Sequence, residues 1–128
     1  MLQAWAPTRR GCLREAVLAL VDSFADRAAW AADSRLDARR VRFQIGPADD
    51  TEQLMALLGE ALYAIDALGV VPLDVELRPR WDGGLDGILI AVPADTVEVV
   101  GAVPKAIAYD LELARADGLW QCRFTVDV

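Results

Sequence analysis

The amino-acid sequence predicts an α+β domain, two helices packed on mainly antiparallel sheet. Two segments carry apolar residues at spacings of three and four, the helical period, and two others alternate apolar with polar residues across a turn, the mark of a hairpin. Strands joined by hairpins are antiparallel, and helices then cover one face. No glycine-rich strand-to-helix turn is present, so a dinucleotide fold is not indicated. The 128 residues are long enough to bury a core without a metal or disulfide staple, and a single domain over 1–128 is expected.

The elements follow in order. Met1 to Ala6 is a short apolar stretch ended by Pro7. Leu13, Val17, Leu20, Val21, Phe24 and Ala28 then mark a first helix from Thr8 to Ala32, with Thr8 as N-cap. Val41, Phe43 and Ile45 alternate with Arg42 and Gln44 as a strand closed by Gly46-Pro47. Asp50 and Gln53 have capping-box spacing at the start of a second helix, Asp50 to Leu68, whose stripe is Leu54, Leu58, Ala61, Leu62, Ile65 and Leu68, with Gly69 as the stop.

Leu73, Val75 and Leu77 form a strand that turns at Trp81-Asp82-Gly83-Gly84 into Gly87 to Val92. Pro93 to Pro104 reads as a connection with a short helical turn. Ile107, Tyr109, Leu111 and Leu113 alternate with polar residues, and Asp117-Gly118 turns the chain into Trp120, Cys122, Phe124 and Val126. The strand-helix-strand unit recurs, which suggests two related halves sharing one sheet system. The expected core is Leu13, Val17, Leu20, Phe24, Leu58, Leu62, Ile65, Val75, Ile107, Tyr109, Phe124 and Val126.

Composition excludes much chemistry. Twenty acidic against 13 basic residues give a net charge of -7, so a diffuse positive field for nucleic-acid backbone is not expected, and no direct nucleic-acid binding is predicted. The absence of histidine removes the Ser/His/Asp, Cys/His and HExxH chemistries. Cys12 and Cys122, 110 positions apart without a CxxC, read as buried thiols. No signal-peptide core or membrane span is read, and a cytoplasmic location is expected.

Lys105 is the first candidate, because the 13 basic residues are twelve arginines and one lysine. An ammonium is a compact point charge that a guanidinium fork does not replace where one group must reach one partner. Asp127 is the second, one residue from the carboxylate of Val128, a pair of hard oxygen donors suited to a cation but short of the six or more oxygens that calcium or magnesium takes. With a turn centred on Asp117-Gly118, facing positions sum to 235. That register sets Asp127 opposite Ala108 and Asp110 opposite Thr125, with Asp110 and Asp127 on one polar face. Glu60 and Asp66 read as solvated helix residues, and the four tryptophans as packing groups without the interleaved arginines of a stacking platform.

The final run PKAIAYDLELARADGLWQCRFTVDV resembles the C-terminal signature of the archease family, a KAxTYH-type strand, a turn, and a Trp-containing strand ending at Asp plus an aliphatic residue. LQAWAPTRRGCLREAVLALVDSF resembles that family's first strand and helix, and LMALLGEALYAIDAL its second helix. The resemblance implies a duplicated strand-helix-strand-strand architecture. It also implies a non-enzymatic accessory protein that promotes guanylylation and turnover of an RtcB-type RNA ligase in tRNA splicing or RNA repair, with a chaperone-like role toward tRNA methyltransferases as a second association.

It further implies functional roles for Lys105 and Asp127, and a divalent cation, calcium or magnesium, held by Asp127, the Val128 carboxylate and Asp110. The family's HTAD-like aspartate would fall ahead of Leu2, and Ala108 and Asp110 replace a threonine and a histidine, so metal binding is expected to be weak or absent in this chain. A small-molecule sensor on the same scaffold, or a chaperone-like partner of a tRNA-modifying enzyme, is the alternative. No membrane partner is expected, and a homo-oligomer is compatible with this reading.

Overall fold

The computed structural model describes residues 1–27 and 38–128. Its elements are β1 (Leu2–Ala6), α1 (Arg9–Asp22), β2 (Arg39–Ile45), α2 (Asp50–Asp66), β3 (Val70–Pro79), β4 (Leu85–Pro93), β5 (Ala106–Ile107), β6 (Glu112–Ala116), β7 (Leu119–Phe124) and β8 (Val126–Asp127), with a 3-10 turn at Ala94–Thr96. The α+β class holds. The shared sheet system does not: β1-β7-β6 and β2-β4-β3 are separate three-stranded antiparallel sheets, and β5-β8 is a small third pair.

Both larger sheets have one plan. A strand leads into a helix, and that strand pairs with the second strand of a later hairpin. The unit β2-α2-β3-β4 is contiguous and lies inside the outer unit, whose β1-α1 comes at the start and whose β6-β7 hairpin comes at the end. The duplication is therefore nested rather than tandem. Both helices contact both sheets, α1 touching β1, β7 and β3, and α2 touching β2, β3, β5 and β6.

Thr8 caps α1 by accepting the Gly11 N–H at 3.0 Å, as its residue type predicts. The helix stops at Asp22 instead of running to Ala32, because Ser23 closes it with its hydroxyl on the Leu20 carbonyl and Ala25 turns into a bridge with Val99. Ala28 to Ala32 lie outside the described residues. α2 is capped by Asp49, whose carboxylate accepts the Glu52 N–H at 2.8 Å, and not by an Asp50–Gln53 box. Gly69 follows it with φ +64°, the left-handed turn that glycine adopts without steric cost.

Gln53 has a different task. It is the buried polar side chain among the described residues, 1% exposed. Its amide donates to the Gly46 carbonyl at 3.2 Å and to the Gly83 carbonyl at 2.8 Å, and its oxygen accepts from Arg9 at 2.5 Å. Burying an amide is tolerable only with such partners. Gln53 thereby ties α2 to the β2–α2 loop, the β3–β4 turn and the start of α1.

The main core gathers Leu13, Val17 and Leu20 of α1, Leu54, Leu57, Leu58, Ala61 and Ala64 of α2, and inward residues of both sheets. A second cluster holds Val21, Phe24, Val71, Leu73 and Val92. Leu62 and Ile65, expected in the core, are only partly buried, because the inward stripe of α2 runs through Leu57 and Ala64, and Val126 on β8 is only partly buried as well. Tyr109 is not core at all, being 93% exposed.

Candidate functional site

The C-terminal hairpin keeps the expected register near its turn, with Leu113 opposite Cys122 and Glu112 opposite Arg123. Further along it shifts. Ala106 faces Asp127 and Ile107 faces Val126, so two extra residues are accommodated on the first strand, with Tyr109 and Asp110 in a turn. The expectation that Asp127 lies opposite Ala108, and Asp110 opposite Thr125, is thus overturned. It is the Ala108 N–H that meets the Thr125 carbonyl, at 2.9 Å.

This shift positions the candidate residues. The Lys105 N–H donates to the Asp127 carbonyl at 2.7 Å, so the chain's lone lysine and penultimate aspartate meet backbone to backbone at one end of the β5-β8 pair. Their side chains are exposed, and the Lys105 ammonium has no carboxylate within ion-pair distance among the described residues. Pro104, which is buried, and Ile107 anchor the segment on either side of the lysine. The arrangement presents one exposed ammonium and one exposed carboxylate at the same strand end, with no ion pair between them.

As a cation site it is incomplete. Asp127 and Val128 supply oxygen donors of the right hardness, but Asp110 sits on the exposed turn, and no group of three or more His, Cys, Asp or Glu able to hold a metal occurs among the described residues. A hard cation that takes six or more oxygens does not fit these residues alone. Glu60 is part-buried and Asp66 exposed on α2.

Sequence reasoning missed one juxtaposition. Cys12 on α1 and Cys122 on β7 are both buried, and their thiols touch. The Cys12 thiol also donates to the Ala4 carbonyl, at 3.7 Å, and Ala4 is the strand partner of Cys122. Contact with Cys12 and burial push the Cys122 thiol far above its ordinary value. Cys122, kept protonated and shielded in this way, is a poor nucleophile.

The fold and this strand end define a class: a small, twice-built strand-helix-hairpin protein that displays a lysine and an aspartate where its last strands meet. The chain belongs to the archease family. The family model for the archease protein family (MTH1598/TM1083) matches residues 1–128. The chain is 42% identical over 130 residues to "Probable protein archease" of Mycobacterium tuberculosis, in strain H37Rv and in strain CDC 1551 / Oshkosh, covering 99% of this chain and 68% of that protein.

Among solved structures, an archease described as a possible chaperone from Thermotoga maritima superposes with a TM-score of 0.65, at 12% identity over 98% of this chain and 87% of that one. Protein 1598 of Methanobacterium thermoautotrophicum gives 0.67, at 23% identity over 98% and 89%. At those identities the superpositions establish the fold. Family membership suggests an accessory, chaperone-like role.

Proposed function

We propose that this protein is a non-enzymatic accessory factor that docks on an RtcB-type RNA ligase and promotes its guanylylation and turnover in tRNA splicing or RNA repair, with Lys105 and Asp127 as the residues that engage the ligase. The observation that supports this reading is that the backbone of Lys105, whose ammonium is exposed and unpaired, is held to that of Asp127 by a hydrogen bond. A flexible stem with one compact charge can enter a cleft and meet a phosphate or carboxylate there. The strand pair supplies a fixed base for it. Any calcium or magnesium bound by this chain alone should be weak, and no step of the reading depends on it.

A guanylylation time course of the ligase, with GTP and a divalent metal, tests the proposal. Equimolar protein should accelerate it. Lys105→Ala and Asp127→Ala should lose the acceleration without lowering the melting temperature, since surface substitutions usually stay within about 0.5 kcal/mol of stability. Lys105→Arg should also weaken it, because the wider guanidinium does not reproduce the ammonium's reach. Full stimulation by the arginine variant would remove Lys105 from the mechanism. A chaperone-like role toward a tRNA-modifying enzyme is the second reading, favoured by the description of the Thermotoga maritima relative as a possible chaperone.

A further inference from the structure

The arginines of this acidic chain are unevenly neutralised. Arg9, Arg14, Arg27, Arg40, Arg80 and Arg123 each meet a carboxylate. Among the described residues Arg10, Arg39, Arg42, Arg78 and Arg115 do not, although acidic groups outnumber basic ones in the chain. Four of those five, all but Arg115, lie on or beside the sheet β2-β4-β3. Register places two of them: on its outer face Arg42, Ile88 and Glu76 form one cross-strand row, and Gln44, Asp86 and Arg78 the next.

The carboxylates of this face are already engaged. Glu76 accepts from Arg40 at 3.1 Å, and Asp86 lies 4.0 Å from Arg80. Arg10, Arg42 and Arg78 are left to line one open concavity of about 770 Å³, with part-buried Ile88 among its walls. At the Arg78 end of the same sheet the β3–β4 turn holds Trp81, 95% exposed. An indole held fully in water has no packing role in this fold.

We propose that the outer face of β2-β4-β3 binds single-stranded nucleic acid, with Arg10, Arg42 and Arg78 on consecutive phosphates and Trp81 stacking on a base. Unpaired guanidinium forks match phosphate oxygens, and an exposed aromatic at the end of a cationic groove is the stacking element of sequence-tolerant single-strand binders. The indole distinguishes this occupant from an acidic peptide, which would use the arginines alone. Net charge does not forbid it, because the Debye length in physiological salt is about 8 Å and a bound strand feels mainly the charges beside it. The inference stands apart from the ligase reading, since neither Lys105 nor Asp127 belongs to this face.

The test is fluorescence anisotropy of a labelled 12-nucleotide oligouridylate titrated with the whole chain at 50 to 200 mM salt. Three phosphate contacts on a single strand predict a log–log salt slope of about -2, or roughly twenty-fold weaker binding across that range. Arg42→Ala and Arg78→Ala should each flatten the slope by about 0.7, and the double variant should leave about one third of it. Trp81→Ala should weaken binding at least about five-fold while keeping the slope, as loss of stacking requires. Unchanged melting temperatures show that the variants are folded. The proposal fails if the oligouridylate shows no salt-dependent binding, or if the double arginine variant binds as the parent does. It fails equally if a 12-residue oligoglutamate or a duplex of the same length binds more tightly than the single strand.

Discussion

The inner and outer repeats follow one plan and differ in how they absorb extra residues. In the inner repeat β3 and β4 pair from Val70 opposite Pro93 to Pro79 opposite Leu85, with a one-residue slip at Leu73, between Pro72 and Asp74. The strands survive it because β3 is an edge, where Pro72 and a bulge are tolerated. In the outer repeat the matching hairpin carries two extra residues on its first strand, and pairing breaks into β6-β7 and β5-β8. One extra residue bends a strand, whereas two can leave the sheet together as a turn. The break gives Lys105 and Asp127 a short pair of their own at the end of the hairpin.

The largest effect that separates the helices' shared core from its margin should come from Leu58→Ala. Leu58 is fully buried among both sheets' residues, and its truncation should cost about 2–5 kcal/mol in chemical denaturation. Leu62→Ala, on the half-buried flank of the same helix, should cost clearly less; equal losses would mean that the two sheets lean on α2 differently from the packing described.

Gly87→Ala attacks the continuous hairpin alone. A methyl there would run into the ring of Phe43, the strand partner of Gly87, and the overpacking should cost about 1–3 kcal/mol. Urea denaturation measures it, and a loss below about 0.5 kcal/mol would show that the inner sheet gives as readily as the outer one. The smallest effect should follow deletion of Tyr109 and Asp110. Removing both lets Leu111 continue the inward alternation of Ile107 and Leu113 with Ala106 still opposite Asp127, so the outer hairpin should become as continuous as the inner one at a cost within about 1 kcal/mol. Differential scanning calorimetry of the deletion variant decides this, and loss of the cooperative transition would show that the turn is needed for folding.

The same arithmetic explains what the sequence concealed. A period of two is blind to an insertion of two, so Ile107, Tyr109, Leu111 and Leu113 alternate perfectly although Tyr109 points into water. β2, β4 and the part of β3 from Leu73 to Leu77 were legible because their apolar alternation is continuous, and Gly69 and Thr8 because caps are local chemistry. The end of α1 was not, since the alanines after Ser23 carry no stop signal. The pairing of Lys105 with Asp127, the contact between Cys12 and Cys122, and the gathering of unpaired arginines all depend on strand register and helix placement, which no local pattern encodes. Composition and chain position marked Lys105 and Asp127 as candidates without showing that they meet.

The nested order also sets a sequence of events in time. Everything needed for the β2-α2-β3-β4 unit lies within one stretch of chain, whose β3–β4 turn is short and whose contacts close shorter loops than the pairing of β1 with β7 does. The outer sheet must instead bring Leu2 against Phe124, almost the whole chain apart, and that closure carries an entropic cost which grows with the length looped out. Folding the inner unit first shortens the effective loop for the outer one. Protection against hydrogen exchange in a refolding pulse experiment should accordingly rise in β3 and β4 before it rises in β1 and β7.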